Sequence, residues 1–380
     1  MIGRGFVIGL MAFTATLWTG WWLSHRKRRG VGFGFGVAAI VMTLVASLAV
    51  ANASFAYLPR LGDVFGGRGQ WRSAPLRIVL ASSTTRPFGI VTTLPVVGDA
   101  AHLGSAHTLV WLPPQYFSDT DARFPVVYLM HGSPGAPVDW LRAAGAADAA
   151  LASARAGRPA ILAMPRVSRG WFDDSECVNG RNQQVESYVV RAVVPSIDTQ
   201  LRTRPDREAR IIAGVSAGGF CALNLGLRHR DVWGTILDLS GFDHPTYGGN
   251  MAGLFGRRSD LRRVVARNTP WRYAADLAPA PCMHVWLDSG DDDGPALRSA
   301  HRMADLLTSA GQPTQLRVRP GGHTYGVWRP ALAQSMAWGV AVADGAGSCP
   351  TCAAHPPTCQ ANVPKPPPAS APVLHLRHRR

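Results

Sequence analysis

The sequence predicts an α/β fold, with a mostly parallel central sheet flanked by helices and two membrane-spanning helices ahead of it. Three observations lead there. From Leu76 onward, apolar runs of strand length alternate with helical stretches, the pattern of a parallel sheet covered on both faces. Phe124 to Met130 is one continuous apolar run, as a central strand buried on both sides must be. Before Leu76, the segments 6–23 and 31–53 carry no charge, and each reaches the ~18 residues a helix needs to cross a bilayer.

Between those two segments stands His25-Arg26-Lys27-Arg28-Arg29, a short basic loop that the positive-inside rule keeps in the cytoplasm. The N-terminus and everything after the second span are then extracytoplasmic. Trp18, Trp21 and Trp22 suit an aromatic belt at the inner end of the first span. A cleaved signal is the rival reading, with Arg26–Arg29 as its basic region and Ala51-Asn52-Ala53 as its cleavage site. The apolar run is long for a signal, which favours a retained anchor, and both readings export the rest of the chain.

Residues 59–75, rich in Gly and Arg, read as a linker, and 76–344 as one large domain. Strands are expected at Leu76–Leu80 and Gly89–Leu94 as an early antiparallel pair, then at Thr108–Leu112, closed by Pro113-Pro114. After the central strand come a helix near 141–155, a strand at Ala160–Met164 and a helix near Ser187–Leu201. Further strands are expected at Ala209–Ala213, Trp233–Leu239, His284–Leu287 and Gln315–Val318, with helices after Gly218, at Ala296–Ala310 and from Pro330. Residues 345–380 are Pro-, Cys- and Arg-rich and read as a disordered tail.

The formal net charge is +15. The arginines are scattered and no nucleic-acid motif accompanies them, so a nucleic-acid partner is not expected. The basic loop and the C-terminal arginines absorb part of the charge, and attraction to an anionic envelope surface suits the rest. Six cysteines in an exported chain permit disulfides, whose pairing spacing alone does not give. Cys349, Cys352, His355 and Cys359 match no common zinc spacing, and neither metal nor cofactor is expected.

The chemistry lies in Gly214-Val215-Ser216-Ala217-Gly218, set between an apolar strand and a small-residue helix. In that context G-x-S-x-G is a nucleophile elbow, a tight strand-to-helix turn that lifts the serine hydroxyl above the sheet. An α/β-hydrolase fold orders nucleophile, acid and base along the chain in that sequence. Four carboxylates follow a late strand, at Asp288, Asp291, Asp292 and Asp293, and Gly321-Gly322-His323 follows the last strand. His323 would take the Ser216 proton and return it to the leaving group, while a carboxylate fixes the imidazole tautomer. The oxyanion needs two amides: Ala217, after the nucleophile, and Ser133, in His131-Gly132-Ser133-Pro134-Gly135 after the central strand.

Blander readings stand beside these. His323 could be an ordinary loop histidine. Ser289-x-Asp291-x-Asp293-Gly294 imitates the start of a calcium loop, but its twelfth position is Ala300. His131 reads as a structural residue beneath the oxyanion loop, and Asp173, Asp174 and Glu176 as a charged loop, a solvated face in preference to one that touches substrate. Region 242–281, with Phe242, Tyr247, Met251, Leu254, Phe255, Trp271 and Tyr273, reads either as an acyl-binding cap or as core.

Pro125–Gly132 with Asp139-Trp140, Gly214–Gly219, and Gly321-Gly322-His323 with Val327-Trp328 resemble the esterase D-like family of α/β-hydrolases. That family includes S-formylglutathione hydrolases, feruloyl esterases and the antigen 85 mycolyltransferases, and the resemblance runs from about Leu109 to Val340. It implies Ser216 as nucleophile, His323 as base, the Ser133 and Ala217 amides as oxyanion donors, and Asp293 as acid, with Asp292 and Asp288 as alternatives. The antigen 85 proteins usually have Asp in place of His131, and their acid is a Glu further into the next helix. No Glu lies between Asp293 and His323, which favours the plain esterase pattern.

The expectation is therefore an extracytoplasmic serine carboxylesterase at the cell membrane, acting on lipid or envelope esters through an acyl-serine. A sugar acceptor would make it an acyltransferase of the mycolyltransferase type, and a non-catalytic envelope-binding protein is the alternative of another class. Acyl chain, acceptor and oligomeric state are not legible in the chain.

Overall fold

In the computed structural model the described residues are 4–26, 32–57, 74–81, 86–96, 103, 107–278 and 281–346. Most of the basic loop, nearly all of the expected linker and the Cys/His tail lie outside them.

Apolar alternation builds the sheet. Nine strands among the described residues form it: β1 Ala74–Pro75, β2 Ile90–Pro95, β3 His107–Leu112, β4 Val126–Met130, β5 Ile161–Met164, β6 Arg210–Val215, β7 Thr235–Leu239, β8 His284–Gly290 and β9 Thr314–Arg319. Their spatial order is β1-β2-β3-β5-β4-β6-β7-β8-β9. From β5 to β9 all pairings are parallel; β3 runs antiparallel to both β2 and β5. Every residue of β4 is buried, as its unbroken apolar run requires.

Successive strand residues point to opposite faces. Val126, Tyr128, Met130, Ile212, Ile236 and Val285 join one core. The same core takes Val185, Val189 and Val193 from the helical stretch 185–200, with Leu223 and Met303. Val127, Leu129, Ile211, Ala213, Leu237 and Trp286 join the other, against Ala147, Ala150, Leu332 and Met336. The covering helices are α4 Ala146–Arg155 and α7 Tyr325–Ala341 on this second face, and α5 Ala217–Arg228 and α6 Gly294–Ser309 on the first.

Before the sheet stand α1 Arg4–Arg26, α2 Gly32–Phe55 and α3 Leu76–Ala81. The expected strand at Leu76–Leu80 is thus corrected to a helix: Leu76 and Val79, three residues apart, are both buried, a helical spacing. The last helix begins at Tyr325 and holds Pro330 within it, earlier than expected. The helix expected near 141–155 is two pieces, Asp139–Arg142 and Ala146–Arg155, separated at Gly145 with φ 69°.

α1 and α2 lie side by side. Trp18 Nε1 donates to Thr43 Oγ1 at 2.9 Å, and the Phe35 ring packs over Gly20. α2 is long and apolar enough over Phe33–Val50 to cross a membrane; among the described residues α1 does not meet that test. α2 continues unbroken through Ala51-Asn52-Ala53 to Phe55.

Candidate active site

The sequence puts glycine where β6 must turn into α5 without room for a side chain. Ser216 takes φ 57°, ψ −123°, and its N–H donates to Leu239 O on β7 at 2.9 Å. A Cβ on Gly214 would overlap the Gly218 carbonyl, and one on Gly218 would overlap the Met130 carbonyl at the end of β4. Only glycine lets β4, β6 and α5 approach this closely.

The turn leaves the Ser216 hydroxyl partly exposed and within reach of His323. His323 Nε2 lies 2.7 Å from Ser216 Oγ, and its Nδ1 lies 2.7 Å from Asp293 Oδ2. Asp293 is 5% exposed at the start of α6, and His323 follows β9 in the loop before α7. A base within hydrogen-bond range of a hydroxyl, oriented by a buried carboxylate, is the geometry needed to generate a serine nucleophile.

The structure also sorts the acidic cluster. Asp288 is gripped by Arg319 Nε at 2.8 Å and by Trp286 Nε1 at 3.2 Å. Asp291 accepts from the Gly321 N–H at 2.8 Å, fixing the loop that leads to His323. Asp292 is exposed. Asp293 is the carboxylate that meets the imidazole. Among the described residues no three His, Cys, Asp or Glu side chains gather as metal ligands.

Ala217 directly follows Ser216, and Ser133 lies in the loop after β4. Ala217 opens α5, where the first amides have no acceptor within the helix. The loop after β4 passes close by: a Cβ on Gly132 would lie 3.4 Å from Ser216 Cβ. His131, 4% exposed, fixes that loop. Its Nε2 accepts from the Val167 N–H at 3.3 Å, so Nδ1 carries the proton and donates to Gly132 O at 2.9 Å. In a planar trans peptide the Ser133 N–H points opposite to that carbonyl, so His131 sets its direction. Burial pulls the His131 pKa down to about 4, with Arg166 adding to the effect, and the ring stays neutral.

Two neighbouring segments differ from expectation. The loop with Asp173, Asp174 and Glu176 is not a solvated face. Glu176 is 1% exposed, and its Oε1 accepts from Thr246 N, Thr246 Oγ1 and Tyr247 N at 2.7–2.9 Å. Burial first, and then the Asp174 charge, push its pKa up to about 7. The next residue, Cys177, is disulfide-bonded to Cys221 on α5. The aromatics of 242–281 divide: Tyr247, Met251, Leu254 and Phe255 cluster with Val178 and Phe220, whereas Trp271 and Tyr273 pack against the main core. Phe242 belongs to the first group and lies over the His323 ring.

Residues not singled out from sequence complete the surroundings. Trp328 stands edge-on to His323, and Tyr325 edge-on to Trp328 at 4.9 Å. Tyr57, just past α2, lies 5.5 Å from the Tyr325 ring and donates its hydroxyl to Asp139 Oδ1. A lone tyrosine after an apolar helix carries no sequence signal of such docking.

Known proteins resemble this chain. The Esterase family matches residues 103–338. An uncharacterised protein of Corynebacterium glutamicum is 26% identical over 78% of this chain and 74% of its own length. An esterase of Mycobacterium tuberculosis is 26% identical over 58% of this chain, which spans about half (52%) of that relative. Among solved structures, a ferulic acid esterase superposes with a TM-score of 0.56 at 24% identity, covering 66% of this chain and 98% of its own. Mycobacterium tuberculosis MPT51 superposes at 0.51 and 19% identity, over 66% of this chain and 97% of its own, a likeness of fold. With its α/β-hydrolase sheet and a family match covering most of the chain, this protein belongs to the Esterase family and is a serine hydrolase.

Proposed function

We propose that the protein is a membrane-anchored, extracytoplasmic carboxylesterase whose catalytic residues are Ser216, His323 and Asp293. The carrying observation is the unbroken hydrogen-bonded chain from Ser216 Oγ through His323 to Asp293. Ser216 Oγ attacks the ester carbonyl carbon as its proton passes to His323 Nε2. The developing oxyanion is held by the Ser133 and Ala217 amides, and the bond to the leaving alcohol breaks as His323 protonates it. Water, activated by the same imidazole, then releases the acid and restores Ser216.

The paired helices α1 and α2 support an anchor with the intervening loop in the cytoplasm, ahead of a hydrolase domain across 76–344. The Cys177–Cys221 disulfide supports an oxidising, extracytoplasmic setting. Lipid or envelope esters suit an enzyme so held.

The test uses full-length protein in detergent beside Ser216→Ala, with p-nitrophenyl esters from acetate to palmitate, with and without trehalose or glucose. Ser216-dependent release of acid supports the esterase. Acylated sugar as main product replaces it with an acyltransferase. No Ser216-dependent turnover and no fluorophosphonate labelling overturns both and leaves an envelope-binding protein.

A further inference from the structure

The end of α2 is docked on the loops that build the site. The Tyr57 hydroxyl donates to Asp139, six residues after Ser133, and its ring meets Tyr325, two residues after His323. It also meets Trp171 at 6.4 Å. Arg329 Nη2 donates to Ala56 O at 3.1 Å while Arg329 Nε donates to Ala143 O at 2.8 Å, clamping the helix end to the domain. The Trp171 carbonyl accepts from the Gly135 N–H at 2.8 Å, so the Trp171 loop lies against the oxyanion loop.

That loop presents apolar rings outward: Phe172 is 86% exposed and Trp171 43%. Its height above the membrane follows from helix geometry. The apolar window of α2 ends at Val50 and the helix at Phe55, about 7–8 Å further at the helical rise of about 1.5 Å per residue, with Tyr57 two residues beyond its end. A headgroup layer is about 5–8 Å thick on each side of the hydrocarbon. Tyr57, with the Trp171 ring 6.4 Å from its own, therefore lies near the outer edge of the headgroups, where aromatic rings partition well.

We infer that the Trp171–Phe172 loop dips into the outer lipid leaflet and turns the mouth of the site onto the membrane, so that the substrate is an ester carried in the bilayer rather than one free in water. Access to the site then runs along the lipid surface past Phe172. The substrate part of this inference rests on the hydrolase reading above; the membrane contact rests on the α2 anchor alone.

The experiment reconstitutes the full chain in vesicles of phosphatidylcholine and phosphatidylglycerol. A photoreactive benzoyl group is placed on the ring at position 172 or, as control, at His301, exposed on α6 across the sheet. A lipid adduct at 172 and none at 301 is expected. Equal labelling, or none at 172, overturns the membrane contact whatever the enzyme does. In parallel, p-nitrophenyl acetate in water and a fluorogenic long-chain diacylglycerol ester in the same vesicles are offered to wild type, Phe172→Asp and Phe172→Leu. Phe172→Asp is expected to keep the soluble activity and lose about tenfold on the vesicle ester, with Phe172→Leu close to wild type. Equal activity of Phe172→Asp and wild type on the vesicle ester, or equal loss on both esters, overturns the substrate route alone. Absence of Ser216-dependent turnover in wild type overturns that route together with the hydrolase reading.

Discussion

The imidazole of His323 stands edge-on to the indole of Trp328, with 4.8 Å between centroids and 89° between planes. Phe242 lies near-parallel to the same ring at 6.2 Å and 27°. These two rings limit the tilt of an imidazole that must reach Ser216 and Asp293 at once. Trp328→Ala frees it, and a misplaced base costs roughly 10- to 100-fold. The loss is expected in kcat with KM little changed, which steady-state kinetics on a short ester separates.

Asp293→Asn should lower kcat by roughly 10³- to 10⁴-fold, because the amide no longer selects the productive tautomer. Asp292→Asn should stay near wild type, since Asp292 is exposed and Asp293 alone of the cluster meets His323. The two rates measured side by side decide which carboxylate serves the base. Comparable losses would contradict the assignment.

His131→Ala releases the Gly132 carbonyl and with it the direction of the Ser133 amide. Losing one oxyanion donor costs roughly 10²- to 10³-fold in kcat elsewhere, and a loss of that order is expected here. With a pKa near 4, His131 stays neutral at pH 5–9, so the wild-type kcat profile over that range should carry no step from it. The check is the kcat–pH profile of wild type together with the variant's kcat.

Glu176 and Asp238 are both buried, and burial, the first cause for each, holds both pKa values at about 7. A carboxyl with a raised pKa binds its proton more tightly folded than unfolded. Its stabilising share is complete below the unfolded pKa and is lost as pH climbs through about 7. Tm should therefore fall between pH 5 and pH 8 on their account. In Glu176→Gln, which keeps an acceptor for the Thr246 and Tyr247 amides, that fall should shrink by roughly 2–5 °C. Calorimetry at the two pH values tests it.

The disulfide between Cys177 and Cys221 closes a loop of sequence separation 44. Chain entropy assigns such a closure about 4 kcal/mol. The double variant Cys177→Ala, Cys221→Ala should show a denaturation midpoint lowered accordingly, with the loss of Glu176 docking visible as a weaker pH dependence. An unchanged midpoint in urea would refute the stabilising role.

Much of this arrangement was legible because short-range chemistry dictates it. The elbow glycines, the continuous β4 run and Gly321-Gly322-His323 are local patterns, and the sheet assembles from runs like β4. The choice among four carboxylates was not, because Asp288 and Asp293 differ only in what stands opposite: Arg319 on one, His323 on the other. Leu76–Leu80 reads as a strand because so short a mostly apolar stretch suits strand and helix alike until its buried face is known. The burial of Glu176 depends on Thr246, 70 residues away, and the docking of Tyr57 on Asp139 depends on a partner 82 residues away. No window of sequence holds both partners.

The crowding at the elbow sets how this enzyme can change. Gly214, Gly218 and Gly219 each press on backbone or on the Asp238 carboxylate, so no side chain can be added there without opening the sheet. Phe172, by contrast, is 86% exposed, and a Cβ on Gly170 would meet nothing within 4 Å. Mutational drift is therefore channelled to the rim. Single substitutions in this loop leave the packed centre as it is, while the elbow admits none.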